Sequence, residues 1–149
     1  NFISCPTENI YLQGRQDTYP KRRGLTRVKE LNDAGINVCF AQDSMSDPWY
    51  PLGNGNMMMI LDHGIHICQM MSFQEIDHAL DLITVNGAKT MHLQDSYGIE
   101  EGKPANFVVI NAKSEFEAIC ERAGILASVR NGEFYCKKSR KCCIRNWKF

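Results

Sequence analysis

In residues 25–34 the apolar positions fall at Leu25, Val28 and Leu31, a helical spacing opened by Gly24 and closed by Gly35. Ile36, Val38, Cys39 and Phe40 follow at once, a short apolar run of the kind a strand shows when both of its faces are covered, as in a parallel sheet. Helix, tight turn and buried strand make one α/β unit. Phe2 and Ile3, ahead of the Cys5-Pro6 break, read as the end of another strand. Residues 57–71 predict a mostly apolar helix, interrupted at Gly64 and too apolar all round for a wet surface. Residues 73–83 continue the helical pattern through Ile76, Ala79, Leu80 and Ile83, and Asn86 can cap a further turn through Met91.

The pattern changes at Gly98. Turn signals at Gly102-Lys103-Pro104 and Asn131-Gly132 bracket three short strands, 105–110, 126–130 and 133–136, and Asn131-Gly132 is a two-residue hairpin signal. Between them residues 114–123 predict a helix capped by Ser114, with Phe116, Ile119 and Cys120 on one face.

Composition refines this picture. The 149 residues are 44% hydrophobic, enough for one domain with a sizeable core. Nothing approaches eighteen consecutive apolar residues, so no membrane partner is expected. The seven cysteines are an odd number without a C-x-x-C pair, which points to reduced, mostly buried thiols and a cytoplasmic setting, and argues against a zinc knuckle. Formal net charge is zero but unevenly spread. Residues 136–149 hold Lys137, Lys138, Arg140, Lys141, Arg145 and Lys148 and no acid, leaving about −6 on residues 1–135. The basic tail, with Trp147 and Phe149 interleaved, has the composition of a weak contact to nucleic acid or another anion, but a solvated terminus or a mis-framed end accounts for it better, so nucleic acid is not the expected partner.

Asp43 closes the apolar run 36–40 by way of Ala41 and Gln42, and in a parallel β/α architecture an acid where a strand runs out is a catalytic candidate. By spacing alone an Asp in this place is more often a turn former or helix cap than a ligand. Trp49, after Pro48, either anchors its loop or meets a ligand, and Ser44 either contacts a ligand or caps the turn after Asp43. His63 and His66, three apart on one helix, could offer two nitrogens to a metal, although a core or subunit contact fits them better. The methionine groups 57–59 and 70–71 read as adaptable core. Residues 8–14 look like a purification-tag protease site, from which Ile10 and Leu12 depart.

Three stretches carry a family resemblance: residues 15–24 (RQDTYPKRRG), 35–40 (GINVCF) and 47–53 (DPWYPLG). Together they resemble the bacterial cytosine deaminases of the amidohydrolase superfamily. Cys5-Pro6 with Asn9, Tyr97-Gly98-Ile99 and residues 102–110 are similar to that superfamily more generally, so the likeness spans residues 1 to about 135. It implies a distorted (β/α)8 TIM-type barrel with a small β-sandwich, of which this chain would supply the C-terminal portion. Residues 1–96 would close the barrel around strands 7 and 8, 97–135 would contribute sandwich strands, and 136–149 would be the basic tail.

The resemblance further implies hydrolytic deamination of a heteroaromatic ring, cytosine or a related base, within pyrimidine salvage and beside other copies of the chain as a homo-oligomer. In the family one divalent metal, iron or zinc, is held by a His-x-His pair, a later His and the Asp that ends strand 8. Asp43 is the position that corresponds to that Asp, as metal ligand and proton carrier. The other ligands and acid–base groups match nothing here, so the chain is expected to be a truncated fragment, inactive and metal-free by itself. Where the family usually has His before the metal Asp and a second Asp after it, this chain has Gln42 and Ser44, which leaves the exact ring open. Ser44 and Trp49 are the implied substrate contacts. A non-catalytic module for self-association, or for anion binding through the tail, is the rival reading.

Overall fold

The computed structural model describes residues 1–137, with side chains through residue 135. Strand β1 (Phe2–Ser4) leads into helix α1 (Pro6–Leu12), whose first turn starts on a proline that has no N–H to leave unpaired. After an exposed loop come α2 (Val28–Asp33) and β2 (Val38–Phe40), which pairs parallel with β1 in the register Phe2↔Val38, Ile3↔Cys39, Ser4↔Phe40. All three β2 residues are buried, as the doubly apolar run predicts. Helix α2 begins three residues later than the periodicity suggests, and Leu25 stays in the loop. The stretch read as tag-like is most of α1, and Glu8 within it is buried, which is not how an appended tag is held.

Helix α3 (Met57–Ile67) runs through Gly64 without a break. A Cβ at that position would come within 2.5 Å of the Phe40 ring, so the glycine lets the helix approach β2 rather than interrupting it. The helix ends at Cys68, and Asn56 caps its start by accepting from the Met58 N–H. Residues 73–83 divide into α4 (Phe73–Asp77), opened by a Ser72/Glu75 capping box, and a 3₁₀ turn (Ala79–Ile83). Helix α5 (Val85–Thr90) contains Asn86 instead of being capped by it. The Asn86 side-chain amide donates to the Val38 carbonyl, 2.9 Å away, binding α5 to β2. Val28, Val38, Phe40, Ile60, Leu61, Ile65, Met70, Ala79 and Leu82 form the core, with Met57, Met58 and Met59 packed at its edge as adaptable filler.

Residues 107–137 form a second, antiparallel sheet in the order β3 (Phe107–Ile110), β4 (Ile125–Arg130), β5 (Glu133–Lys137). Asn131 and Gly132 both have positive φ, 50° and 82°, which is the mirror-image turn that the sequence announces. Helix α6 (Glu115–Cys120) is capped by Ser114, whose hydroxyl accepts from the Glu117 N–H. Ile119 and Ala118 are its buried face, whereas Phe116 and Cys120 are exposed. Ile119 joins the core, and Arg122 just beyond the helix donates at 3.0 Å to the nearly buried Asp62 of α3, so the sheet region is tied to the body. A groove of about 920 Å³ runs between them, lined by Met57, Leu80, Ile83, Phe107 and Ile125 among others. Most of the basic tail, beyond Lys137, lies outside the described residues. Among the described residues no helix is long and apolar enough to cross a membrane.

Candidate functional site

A parallel ladder brings both strands out at the same end. The Ala41 N–H donates to the Ser4 carbonyl at 2.9 Å, carrying the pairing one step past β2. From there one chain continues as Cys5, Pro6, Thr7 and Glu8, the other as Gln42, Asp43 and Ser44. Residues 36 positions apart in sequence are thereby set side by side.

Asp43 is exposed and has φ of 64°, in the left-handed region that Asp and Asn enter more readily than other side chains. Its carboxylate makes no hydrogen bond or ion pair among the described residues, so it is not a cap. Ser44 is held by Glu8: the Ser44 N–H donates to Glu8 Oε2 and the hydroxyl to Oε1, each at 2.9 Å. Glu8 is only 5% exposed, so both bonds are shielded from water. Ser44 therefore caps no turn. Asp47 does that work, accepting at 2.9 Å from the N–H groups of Trp49 and Tyr50, and these bonds hold its carboxyl below the usual range.

Gln42 is buried. Its Oε1 accepts from the Gly55 N–H at 3.3 Å, while its Nε2, like the buried Thr7 hydroxyl, has no partner among the described residues. Cys5 completes the cluster. Its thiol is pushed up to about 11, first by burial and then by the charges of Asp43, Glu8 and Cys39, and so stays protonated near neutral pH.

Trp49 is 64% exposed, so its ring does not anchor the loop by burial. Tyr50 does, with its ring edge-on to Tyr11 at 5.9 Å between centroids. His63 and His66 are exposed on α3 rather than in the core, and His66 Nδ1 lies 2.6 Å from the Asp62 carbonyl of the preceding turn. Among the described residues no three His, Cys, Asp or Glu side chains converge as a metal site. Asp43 fits a divalent ion as one hard, unpaired oxygen donor, and further donors would have to join it.

Glu8 is the residue that local pattern reading misses. The signal was present in principle: an acid in the first turn after one strand must neighbour whatever follows its parallel partner.

Comparison with known proteins fits this geometry. The amidohydrolase family model matches residues 1–133. The structure of 5-methylcytosine deaminase from Klebsiella pneumoniae, liganded with 5-fluorocytosine, is 54% identical with a TM-score of 0.89, over 93% of this chain and 34% of that one. N-isopropylammelide isopropyl amidohydrolase of Pseudomonas sp. (strain ADP) is 34% identical over 74% of this chain and 27% of its own length. Pterin deaminase of Rhizobium rhizogenes is 30% identical over 78% and 27%. The chain thus spans about a quarter to a third of these relatives, and it belongs to the amidohydrolase family.

Proposed function

We propose that this chain is the C-terminal part of a metal-dependent hydrolase that releases ammonia from a heteroaromatic ring, cytosine or a close relative such as 5-methylcytosine. The carrying observation is the unpaired Asp43 carboxylate at the C-terminal end of a buried parallel strand, in a chain 54% identical to a 5-methylcytosine deaminase over most of its length. In this reading residues 1–96 complete a (β/α)8 barrel, 97–135 are strands of a β-sandwich, and 136–149 are an appended tail.

Asp43 would be one ligand of a divalent ion, iron or zinc, with the remaining ligands supplied by the rest of the whole protein. When bound, such an ion supplies a water acidic enough to act as hydroxide near neutral pH. The Asp43 carboxylate takes a proton at one oxygen and delivers it to the departing amine, as a general base that turns general acid. Ser44 and Trp49 border the ring, and the Tyr50–Tyr11 contact holds the loop that carries Trp49.

The test is metal content and ammonia release from the whole protein that carries this sequence, with cytosine and 5-methylcytosine as substrates. Asp43→Asn is expected to lose the metal and at least about 100-fold in rate. The 149-residue chain alone is expected to do neither, since three protein ligands are usual for a catalytic ion. Ammonia release by the isolated chain, or full metal content in Asp43→Asn, would overturn the assignment. A whole protein that binds no metal would favour the non-catalytic module.

A further inference from the structure

The geometry points to Glu8 as a positioning residue that sets the hydrogen-bond polarity of Ser44, so that Ser44 meets a ligand as an acceptor and selects rings presenting an N–H at that edge. This rests on the proposed function in one respect, that Ser44 borders the substrate.

A serine hydroxyl has one proton and two lone pairs, and an ionised carboxylate only accepts. Glu8 takes the hydroxyl proton on Oε1 and the backbone N–H of the same residue on Oε2, both at 2.9 Å. That two-pronged grip fixes the side chain as well as the backbone. Because Glu8 is almost fully buried, water cannot easily replace either bond. The other acid near Ser44 is Asp47, whose carboxylate accepts from the Trp49 and Tyr50 N–H groups. Both acidic neighbours are acceptors, so neither can give Ser44 a proton to pass on. What remains for a ligand is oxygen lone pairs in acidic surroundings made by Glu8, Asp43 and Asp47. A ring N–H satisfies that arrangement, while a bare ring nitrogen sets lone pair against lone pair. Glu8→Gln would undo the selection. A carboxamide in the same two-pronged pose replaces one acceptor oxygen with an NH₂, and placing that NH₂ on Oγ would release the hydroxyl proton toward the ligand.

The decisive measurement uses the whole metal-loaded protein and two matched inhibitors, pyrimidin-2-one, which carries a ring N–H, and 2-methoxypyrimidine, which has bare ring nitrogens only. The wild type is expected to favour pyrimidin-2-one about tenfold, the value of one net hydrogen bond. Glu8→Gln should bring that ratio to about one or invert it, Ser44→Ala should bring it to about one, and Glu8→Gln should change nothing further in the Ser44→Ala background. A Glu8 that only braces the fold would lower kcat or stability and leave the ratio unmoved, and that result overturns the proposal. If Glu8→Gln fails to fold, an unchanged ratio in Ser44→Ala overturns it equally. On the 149-residue chain, Ser44 amide hydrogen exchange should quicken at least about tenfold in Glu8→Ala. Absence of that change refutes the grip itself. Should the wild type release no ammonia, the functional reading falls, and the ratio is then read from direct binding of the same two rings.

Discussion

The apolar strands β2 and β3 of this chain are treated in opposite ways. In the parallel pair, Val38, Cys39 and Phe40 are all buried, covered by α3 on one side and by α5 and the 3₁₀ turn around them. In the antiparallel sheet, Phe107, Val108 and Val109 of β3 are all exposed, and only Ala127 and Val129 of β4 are buried. A strand wrapped on both faces is fixed in place, and the residues just past its end inherit that precision. The candidate site grows from the end of the wrapped β2, beside that of its half-open partner β1. The open sheet offers apolar surface, which is a basis for association with other chain segments or copies and not for positioning a reacting group.

The sharpest way to break this contrast is to truncate one residue of each kind. Phe40→Ala should cost about 3–5 kcal/mol by chemical denaturation, whereas Val108→Ala, half exposed already, should cost less than about 1 kcal/mol. Equal losses would mean that the open face is covered in solution. Next in size is Gly64→Ala, which drives a methyl into the Phe40 ring and should cost about 1–3 kcal/mol through overpacking. Arg122→Ala strips the nearly buried Asp62 of its charged donor and should cost about 1–2 kcal/mol, read as earlier loss of hydrogen-exchange protection in residues 107–130. The smallest effect is acidic. Lys29 first, then the Ser72 N–H and hydroxyl, hold the Glu75 carboxyl down to about 2. Its contribution is complete above pH 4.5 and is lost as the pH falls from there to about 2; solvent screening keeps it below about 1 kcal/mol. Melting temperature against pH, compared with Glu75→Gln, reads it directly.

Much of the architecture was legible because its determinants are local. Ser114 caps α6 through an N–H three residues away, and Asn131-Gly132 turns the last hairpin on its own two dihedral angles. Misreadings came where a residue answers to a distant partner. Gly64 looks like a break because glycine is costly in a helix, yet it is spent on the approach of Phe40, 24 positions earlier. Asn86 looks like a cap, yet its amide goes to Val38. Asp43 was legible as a candidate because an apolar run ends just before it, while Glu8 was not, since its grip on Ser44 exists only once β1 and β2 lie parallel.

The left-handed backbone at Asp43 bears on how its kinetics should be dissected. This position answers to two independent demands, a carboxylate and a positive φ, and no single replacement removes both cleanly. Asn satisfies the conformational demand and drops the charge, whereas Glu keeps the charge on a longer arm and pays for the backbone. Val would fail on both counts, so its inactivity would carry no information about chemistry. The Asn and Glu variants taken together separate the price of lost coordination from the price of a displaced chain, and each should be read against its own melting curve.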